Sequence, residues 1–229
     1  LYGDQASAPC KDDDDVNETP LSPLPSPGDV MIVAVQSDNP DMVALVALAD
    51  LPAGMVIHLT DNAHDGENLA TNEGIVSLVL PETINAGTVF GYGPGLLYGS
   101  SWNSELDRGF ALSASGDSIL VYCTETMTSV QETYLSALSY SGGFKEAGLK
   151  KYGQKWTSLP ESIKDNYSIA LPHHDNYKYV GATTGEIDQL QSFLVKEENW
   201  EGSNSKMDSS LLIPSNFSIN PSQSSSSPL

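Results

Sequence analysis

The strongest indication of the fold is the stretch GDVMIVAVQSDNPDMVALVALADLPAGMVIHLTDN, residues 28–62. Two Val- and Ala-rich runs, 30–35 and 42–48, lie on either side of the turn Ser-Asp-Asn-Pro at 37–40. A third apolar run, 55–60, follows a Leu-Pro-Ala-Gly turn. Short apolar runs that are bounded by Pro, Gly, Asn and Asp are typical of β-strands. The stretch therefore predicts three consecutive strands, and the imperfect alternation of the third predicts burial on both of its faces.

The same pattern continues through the middle of the chain. Further apolar runs that are separated by turn residues lie at 75–80, 88–92, 110–113, 118–123 and 134–140. Strands at this spacing are typical of all-β sandwiches. The sequence therefore predicts an all-β fold, an immunoglobulin-like or jelly-roll-type β-sandwich.

One segment near the end of the chain predicts a helix. The sequence Thr-Thr-Gly-Glu at 183–186 has the capping-box pattern, and Ile187, Leu190 and Leu194 then recur at helical spacing. This helix is expected to run to about residue 196. A second, shorter helix is expected over 143–155, so the prediction is a sandwich with one or two short helices.

Both ends of the chain have the composition of tails. Residues 1–28 contain an acidic run and four closely spaced prolines, which predicts an extended arm. Residues 204–229 are rich in Ser and Pro, although 211–219 are more apolar than a linker needs. The predicted organisation is an arm over 1–28, a β-sandwich domain over 29–203 and a tail over 204–229.

The charge of the chain excludes some classes of partner. Thirty acidic residues against ten basic ones give a net charge of −20. Such a surface repels phosphate backbones and anionic lipids, which argues against nucleic-acid and membrane-surface binding. No stretch approaches the ~20 apolar residues of a membrane span, so no membrane insertion is expected.

Cysteines and glycosylation sequons indicate a secreted or cell-surface protein. Cys10 and Cys123 predict one disulfide between the arm and a central strand, and the alternative is two unpaired thiols. Asn17, Asn166 and Asn216 each begin an N-x-S/T sequon and are predicted glycosylation sites. The start at Leu rather than Met predicts a processed chain.

The strand–DNPD–strand–DLPAG–strand order of residues 28–62 resembles a domain of large bacterial secreted and cell-surface proteins. The closing pieces of the pattern are SGDSI at 115–119 and NWEGS at 199–203. The order is similar to that of lamin-tail-like domains, which are immunoglobulin-like sandwiches. This resemblance covers about residues 28–203. It implies an extracellular accessory domain that accompanies enzymes without supplying catalytic groups.

The familiar catalytic motifs are missing from the sequence. It contains no G-x-S-x-G elbow, no P-loop and no HExxH. His173 and His174 follow a proline, and neighbouring side chains of a strand point to opposite faces, so a surface turn is expected there. A non-catalytic protein is therefore predicted, while a carboxylate pair for glycoside hydrolysis stays open among thirty acidic residues.

The loop at 61–68 is the most site-like segment. Asp61, Asn62, Asp65 and Glu67 surround a glycine and offer oxygen ligands for Ca²⁺. The alternative is a solvated loop in which Asp and Asn stabilise turns. No cofactor is expected to be required, and Ca²⁺ is the one candidate.

Trp102, Trp156 and Trp200, together with ten tyrosines, are candidates for stacking on sugars. Trp200 lies in the NWEGS turn, where a packing role is expected instead. Carbohydrate binding therefore stays open as an alternative function.

Basic residues are concentrated in one segment, which contains Lys145, Lys150, Lys151, Lys155 and Lys164. The arm carries the opposite charge in a run of four aspartates, Asp12, Asp13, Asp14 and Asp15. We predict that the arm of one subunit docks near the basic segment of the next, and that a tail adds a strand to a neighbouring sheet. Such a contact generates a filament when it does not close.

The predicted function is therefore a non-catalytic extracellular structural protein, a subunit of a fibril or surface appendage whose partner is a second copy of itself. The alternative is a monomeric adhesion module that binds glycans or Ca²⁺.

Overall fold

The structure is a computed structural model that describes residues 24–105, 109–129, 131–146 and 157–221. Strands dominate the regular structure of these ranges, which confirms the predicted all-β sandwich. In chain order the elements are β1 (Val30–Gln36), β2 (Met42–Ala47), β3 (Val56–Thr60), β4 (Ile75–Val79), β5 (Val89–Tyr92), β6 (Asn103–Ser104), β7 (Ser118–Thr124), β8 (Thr133–Ser139), β9 (Ser168–Ala170), β10 (Asn176–Tyr179), β11 (Thr184–Gly185), α1 (Ile187–Leu194), a 3₁₀ turn (Glu197–Asn199), β12 (Trp200–Ser203), α2 (Ser209–Leu212) and β13 (Ser218–Ile219).

Two sheets form the sandwich. The five-stranded sheet has the order β12-β10-β1-β2-β5, and the six-stranded sheet has the order β6-β4-β3-β7-β8-β9. Within the two sheets, β9 joins β8 in parallel and the other pairs are antiparallel. A small parallel pair, β11 and β13, completes the fold.

The hydrophobic core joins residues of both sheets into one cluster. Strands β1 and β2 are buried along their whole length, and helix α1 packs on β1. Leu190 and Leu194 of the helix belong to the same cluster as the strands. A strand that is covered on both faces needs no polar alternation, which explains the continuous apolar runs in the sequence. All five residues of β3 are also buried, as predicted.

The predicted helix is confirmed as α1, but its predicted capping box is wrong. The N-cap residue is Glu186, and no side chain caps the helix. Thr184 and Gly185 instead form β11 and pair with Ser218 and Ile219. Their backbone is therefore extended up to the residue before the helix. Of the second predicted helix, residues 143–146 are not helical, and 147–155 lie outside the described residues.

The predicted strand at 110–113 is wrong, although Phe110 is buried in the core. The backbone N–H groups of residues 111, 112 and 113 donate to the carboxylates of Asp61 (3.2 Å), Asp41 (2.8 Å) and Asp117 (3.1 Å). Carboxylates here take the place of a neighbouring strand as hydrogen-bond acceptors. A pattern of apolar residues does not reveal which group accepts the backbone hydrogen bonds.

The sandwich domain continues beyond the predicted boundary at residue 203. Leu212 and Phe217 are buried in the core, at 0% and 6% exposure. The backbone N–H of Phe217 donates to the carbonyl of Gly87 at 2.7 Å. At the other end of the domain, Leu24 of the predicted arm packs against the core. No helix among the described residues is long and apolar enough to span a bilayer.

Candidate functional site

An open cleft of about 660 Å³ lies between the β1–β2 turn and the loop that follows β5. Its walls combine two aromatic rings with prolines, glycines and short polar side chains. The lining residues are Asn39, Pro40, Asp41, Tyr92, Gly93, Pro94, Gly99, Ser100 and Trp102. We call this the Trp102 cleft.

Glycines shape the loop that forms one wall of the Trp102 cleft. The N–H of Gly93 donates to the carbonyl of Gly99 at 3.0 Å and closes the loop at its base. A Cβ atom at residue 99 would lie 1.9 Å from the carbonyl oxygen of Gly93, so a side chain is excluded there. The tight loop returns the chain to Trp102 beside the end of β5.

The two rings of the Trp102 cleft are held in fixed positions. The indole Nε1 of Trp102 donates to the carbonyl of Gly91 at 2.8 Å. The ring of Tyr92 packs edge-on against Trp102, with centroids 6.4 Å apart, and against Phe110 at 5.3 Å. Both cleft rings remain partly exposed. The cleft therefore presents a preorganised aromatic surface to solvent.

Asp41 supplies a carboxylate to the same cleft. One of its oxygens, Oδ2, accepts the Leu112 N–H at 2.8 Å and so ties the cleft to the segment at 110–113. Burial raises the pKa of Asp41, and the charge of Asp61 adds to this effect, while the Leu112 hydrogen bond opposes it. A carboxylate has about four acceptor positions, so one backbone bond leaves capacity for a ligand hydroxyl.

A second constellation surrounds His58 in β3, on the face of the six-stranded sheet away from the core cluster. The ring nitrogen Nδ1 lies 2.8 Å from Ser77 Oγ and 2.7 Å from Glu105 Oε1. The other nitrogen, Nε2, lies 2.9 Å from Thr124 Oγ1. The ring of Tyr122 stacks on the imidazole with a centroid distance of 4.4 Å. We call this the His58 network.

The hydrogen bonds of the His58 network assign its protons. The Thr124 hydroxyl donates to the carbonyl of Thr126 at 2.8 Å, so Nε2 of His58 must donate to Thr124. Burial lowers the pKa of His58 to about 4 and raises the pKa of Glu105. The neutral imidazole therefore carries its proton on Nε2, which leaves Nδ1 as an acceptor within reach of the Ser77 hydroxyl. Thr124 faces an N–H rather than a base, so this is not the arrangement of an activated nucleophile.

Three of the four predicted Ca²⁺ ligands accept backbone hydrogen bonds, and the fourth, Glu67, has an exposed side chain. Both carboxylate oxygens of Asp61 accept backbone N–H groups, and so does the amide oxygen of Asn62. Asp65 accepts the N–H groups of Glu67 and Asn68. Among the described residues, no group of three or more His, Cys, Asp and Glu side chains is placed to hold a metal ion. The structure therefore does not bring these four residues together as a site.

Glu73 is an exception among the partly buried acidic groups. Its oxygen Oε2 is buried and has no hydrogen-bond partner among the described residues. Burial raises the pKa of Glu73 to about 8, and the charges of Asp61 and Asp117 add to this effect. The side chain is therefore largely protonated at neutral pH.

Cys123 lies in β7, is fully buried and is a free thiol in the part of the chain that is described. Burial raises its pKa to about 12, and the charge of Asp29 adds to this effect. The structure does not show the predicted disulfide, whose other member, Cys10, lies outside the described residues.

Two of the predicted glycosylation sites lie on the surface. Asn166 is exposed in the turn that precedes β9. Asn216 is also exposed, but its amide oxygen accepts the Val89 N–H at 2.9 Å and so fixes the C-terminal segment to β5. Asn17 lies outside the described residues.

The predicted assembly surface is described only in part. Lys145 and Lys164 are exposed, and Lys164 lies 3.8 Å from Glu161. The remaining assembly residues lie outside the described residues; they are Asp12, Asp13, Asp14, Asp15, Lys150, Lys151 and Lys155. Trp156 lies outside them as well, whereas Trp200 is buried in the core, as predicted.

No protein-family model, no curated protein and no solved structure matches this chain. The resemblance to lamin-tail-like domains stays a prediction. Of the residues that line the Trp102 cleft, the sequence analysis named Trp102 as a stacking candidate and included Tyr92 only as one of ten tyrosines. Asp41 was missed because it lies in the β1–β2 turn, about fifty residues before Tyr92 at the end of β5, and the glycine-rich run after β5 was the available signal.

Proposed function

We propose that this protein is a non-catalytic extracellular module that binds a neutral carbohydrate in the Trp102 cleft. The observation that carries the proposal is the pair of partly exposed rings, Trp102 and Tyr92, which are fixed in an open cleft beside Asp41. Mostly preformed clefts that combine aromatic walls with a few polar groups are typical ligand sites.

The chemistry of a pyranose fits this cleft. One face of the sugar ring presents C–H groups, which pack on an aromatic face, and its hydroxyl groups need hydrogen-bond partners around the rim. Asp41, Asn39 and Ser100 supply such polar groups beside the rings. No basic side chain is among the described residues that line the cleft, and a lysine at its edge, Lys206, donates to the carbonyl of Asn39. The carboxylate of Asp41 lines the cleft itself, which favours neutral sugars over uronic acids and sulfated sugars.

Two further observations support a non-catalytic, extracellular role. The His58 network is the constellation that most resembles a catalytic one, and its imidazole donates to the hydroxyl that it would have to activate. The exposed position of Asn166 is what attachment of a glycan in the secretory pathway requires.

Titration calorimetry with neutral gluco-, manno-, xylo- and chito-oligosaccharides tests the proposal. We expect one of these classes to bind and Trp102→Ala to weaken its binding by about tenfold or more, because the stacking surface is lost. Leu97→Ala is the matched control, since Leu97 is 45% exposed in the same loop but does not line the cleft. If no class binds at millimolar concentration, or if both variants bind like the parent, the proposal is wrong.

A second candidate function is the fibril subunit, with the C-terminal segment 207–221 as the exchanged element. Phe217 of this segment is buried, and its ring lies 5.9 Å from the ring of Tyr179. The stretch 204–206, which leads into the segment, is exposed. A segment that is anchored by buried contacts and joined by an exposed connection can make the same contacts with a second copy.

Light scattering and negative-stain electron microscopy of the full chain test this second candidate. Refolding at high concentration is expected to give assemblies, because the segment must open before it can exchange. Replacing Asp12, Asp13, Asp14 and Asp15 by Asn separates the two routes: segment exchange is unaffected, whereas arm docking is weakened. A monomer at every concentration would contradict both.

A further inference from the structure

A second cleft, of about 430 Å³, lies at the edge of the five-stranded sheet where β12 pairs with β10. Its walls are aromatic and its rim is acidic. The lining residues are Pro172, His174, Tyr177, Glu197, Glu198, Trp200 and Gly202. We call this the Glu197 cleft, and it shares no lining residue with the Trp102 cleft.

The aromatic side chains that line the Glu197 cleft are held in place by hydrogen bonds and ring contacts. The Tyr177 hydroxyl donates to the carbonyl of Pro172 at 2.7 Å, and the His174 ring packs edge-on against Tyr177 at 5.5 Å. The indole of Trp200 donates to the carbonyl of Leu194 at 2.9 Å. Each ring therefore keeps its position in the absence of a ligand.

Gly202 keeps the cleft open. It lies directly opposite Tyr177 in the pairing of β10 and β12. A Cβ atom at residue 202 would lie 2.5 Å from His174 Cδ2 and 2.8 Å from Tyr177 Cε1. Even an alanine side chain would therefore compete with the two rings for the same space.

The rim of the Glu197 cleft carries uncompensated negative charge. Glu197 and Glu198 are exposed, and neither forms an ion pair among the described residues. The nearby lysines have other partners: Lys178 lies 3.2 Å from Glu201, and Lys196 lies over the Phe193 ring. The charge of Glu197 acts on the Tyr177 ring, since it adds to the effect of burial in raising the Tyr177 pKa to about 12.

We propose that the Glu197 cleft binds a protonated alkylamine, the group that a lysine side chain or a polyamine carries. The carboxylates of Glu197 and Glu198 attract the ammonium group. The attached methylene groups pack against the partly exposed His174 ring and the accessible edges of the otherwise buried Tyr177 and Trp200 rings. A net charge of −20 raises the local concentration of such cations and speeds their capture. This site goes beyond the proposed carbohydrate function and does not depend on it.

Calorimetry or NMR titration of the full chain with spermidine and with N-acetyl-lysine amide tests the site. We expect both amines to bind, and Glu197→Gln/Glu198→Gln to weaken binding by about five- to tenfold. Tighter binding of spermidine would indicate a polyamine as the source of the amine, and tighter binding of the lysine amide would indicate a protein partner.

Two controls separate a site from general attraction to an acidic protein. Glu67→Gln/Glu125→Gln removes the same charge from two exposed residues outside the cleft and is expected to leave the affinity within about twofold. Norleucine amide with an acetylated amino group has the same methylene chain without the ammonium and is expected not to bind. Equal weakening by the two double variants, binding of the neutral analogue, or no binding of either amine would overturn the proposal.

Discussion

The Trp102 cleft and the His58 network are built from the same kinds of side chain: aromatic rings, a carboxyl group and hydrogen-bonding groups. In the network, both nitrogens of His58 have partners within 2.9 Å, and the ring is 4% exposed. In the cleft, Trp102 and Tyr92 are partly exposed, and Asp41 retains acceptor capacity beside its one backbone bond.

The contrast between the cleft and the network shows that residue type alone does not identify a site in this molecule. The network has the residues of a catalytic centre, but its donors and acceptors already form hydrogen bonds with one another. The cleft has plainer residues, yet its surfaces and acceptors face solvent. Groups that can still form interactions are the ones that can bind a ligand.

The largest expected effect is on the network. His58→Ala should lower the free energy of unfolding by about 3 kcal/mol, because it leaves Glu105 and Thr124 without their partner and removes the stack on Tyr122. Urea unfolding followed by circular dichroism measures this. Sugar binding in the Trp102 cleft should be unchanged. If a folded His58→Ala variant lost sugar binding, the network and the cleft would be functionally coupled, and the contrast between them would not hold.

Glu73 tests whether a carboxyl group with an unpaired oxygen lowers stability, in contrast to the His58 network, whose groups have hydrogen-bond partners. A carboxyl whose pKa rises from 4.5 to about 8 on folding costs stability as pH increases through that window. Glu73→Gln should therefore match the parent at pH 4.5 and exceed its stability by about 2 kcal/mol at pH 9, less than the full shift because the side chain is partly exposed.

Thermal unfolding across this pH range measures the effect of Glu73→Gln. The control is Glu67→Gln in the exposed loop, which should leave the pH profile of the parent unchanged. If the stability of Glu73→Gln changed with pH in parallel with that of the parent, the Glu73 carboxyl group would be ionised in the folded state without loss of stability.

A smaller effect is expected at Thr124, whose hydroxyl bridges His58 and the carbonyl of Thr126. Thr124→Val keeps the shape and removes both hydrogen bonds, so it should cost about 1.5 kcal/mol. Urea unfolding measures it, and no loss of stability would mean that the network is held by packing alone.

The smallest effect is expected at Ser136 in β8, whose buried hydroxyl has no partner among the described residues. Ser136→Ala removes no hydrogen bond and should change stability by less than about 0.5 kcal/mol. A loss as large as that of Thr124→Val would reveal a partner and weaken the contrast between satisfied and unsatisfied groups.

The strands of the core were predictable because a single local property marks them. Runs that become β1, β2, β3 and β7 are continuous and apolar, and they lie where they were predicted to within about two residues. Edge strands such as β9 and β12 were missed, because they are short and partly exposed and so contain no run of apolar residues. Their extended shape depends on the strand beside them.

The C-terminal segment is a second case in which local sequence did not predict the structure. Its apolar residues were visible in the sequence, but its Ser-rich composition predicted a tail. Phe217 is buried because Gly87 leaves room for its backbone, where a Cβ atom would lie 2.3 Å from the Phe217 carbonyl oxygen. This close contact is between residues that are far apart in the chain, so the sequence around either residue does not predict it.

Local sequence was sufficient to predict the all-β class, the strands of the core and helix α1, because continuous apolar runs mark the buried strands and apolar residues at helical spacing mark the helix. The tertiary fold determines which polar groups remain available to bind a ligand. It committed Asp61 and His58 to internal hydrogen bonds and left Trp102 and Glu197 facing open clefts. The physical reason is that a hydrogen bond or a cleft depends on distances between segments, and such distances exist only after the chain has folded.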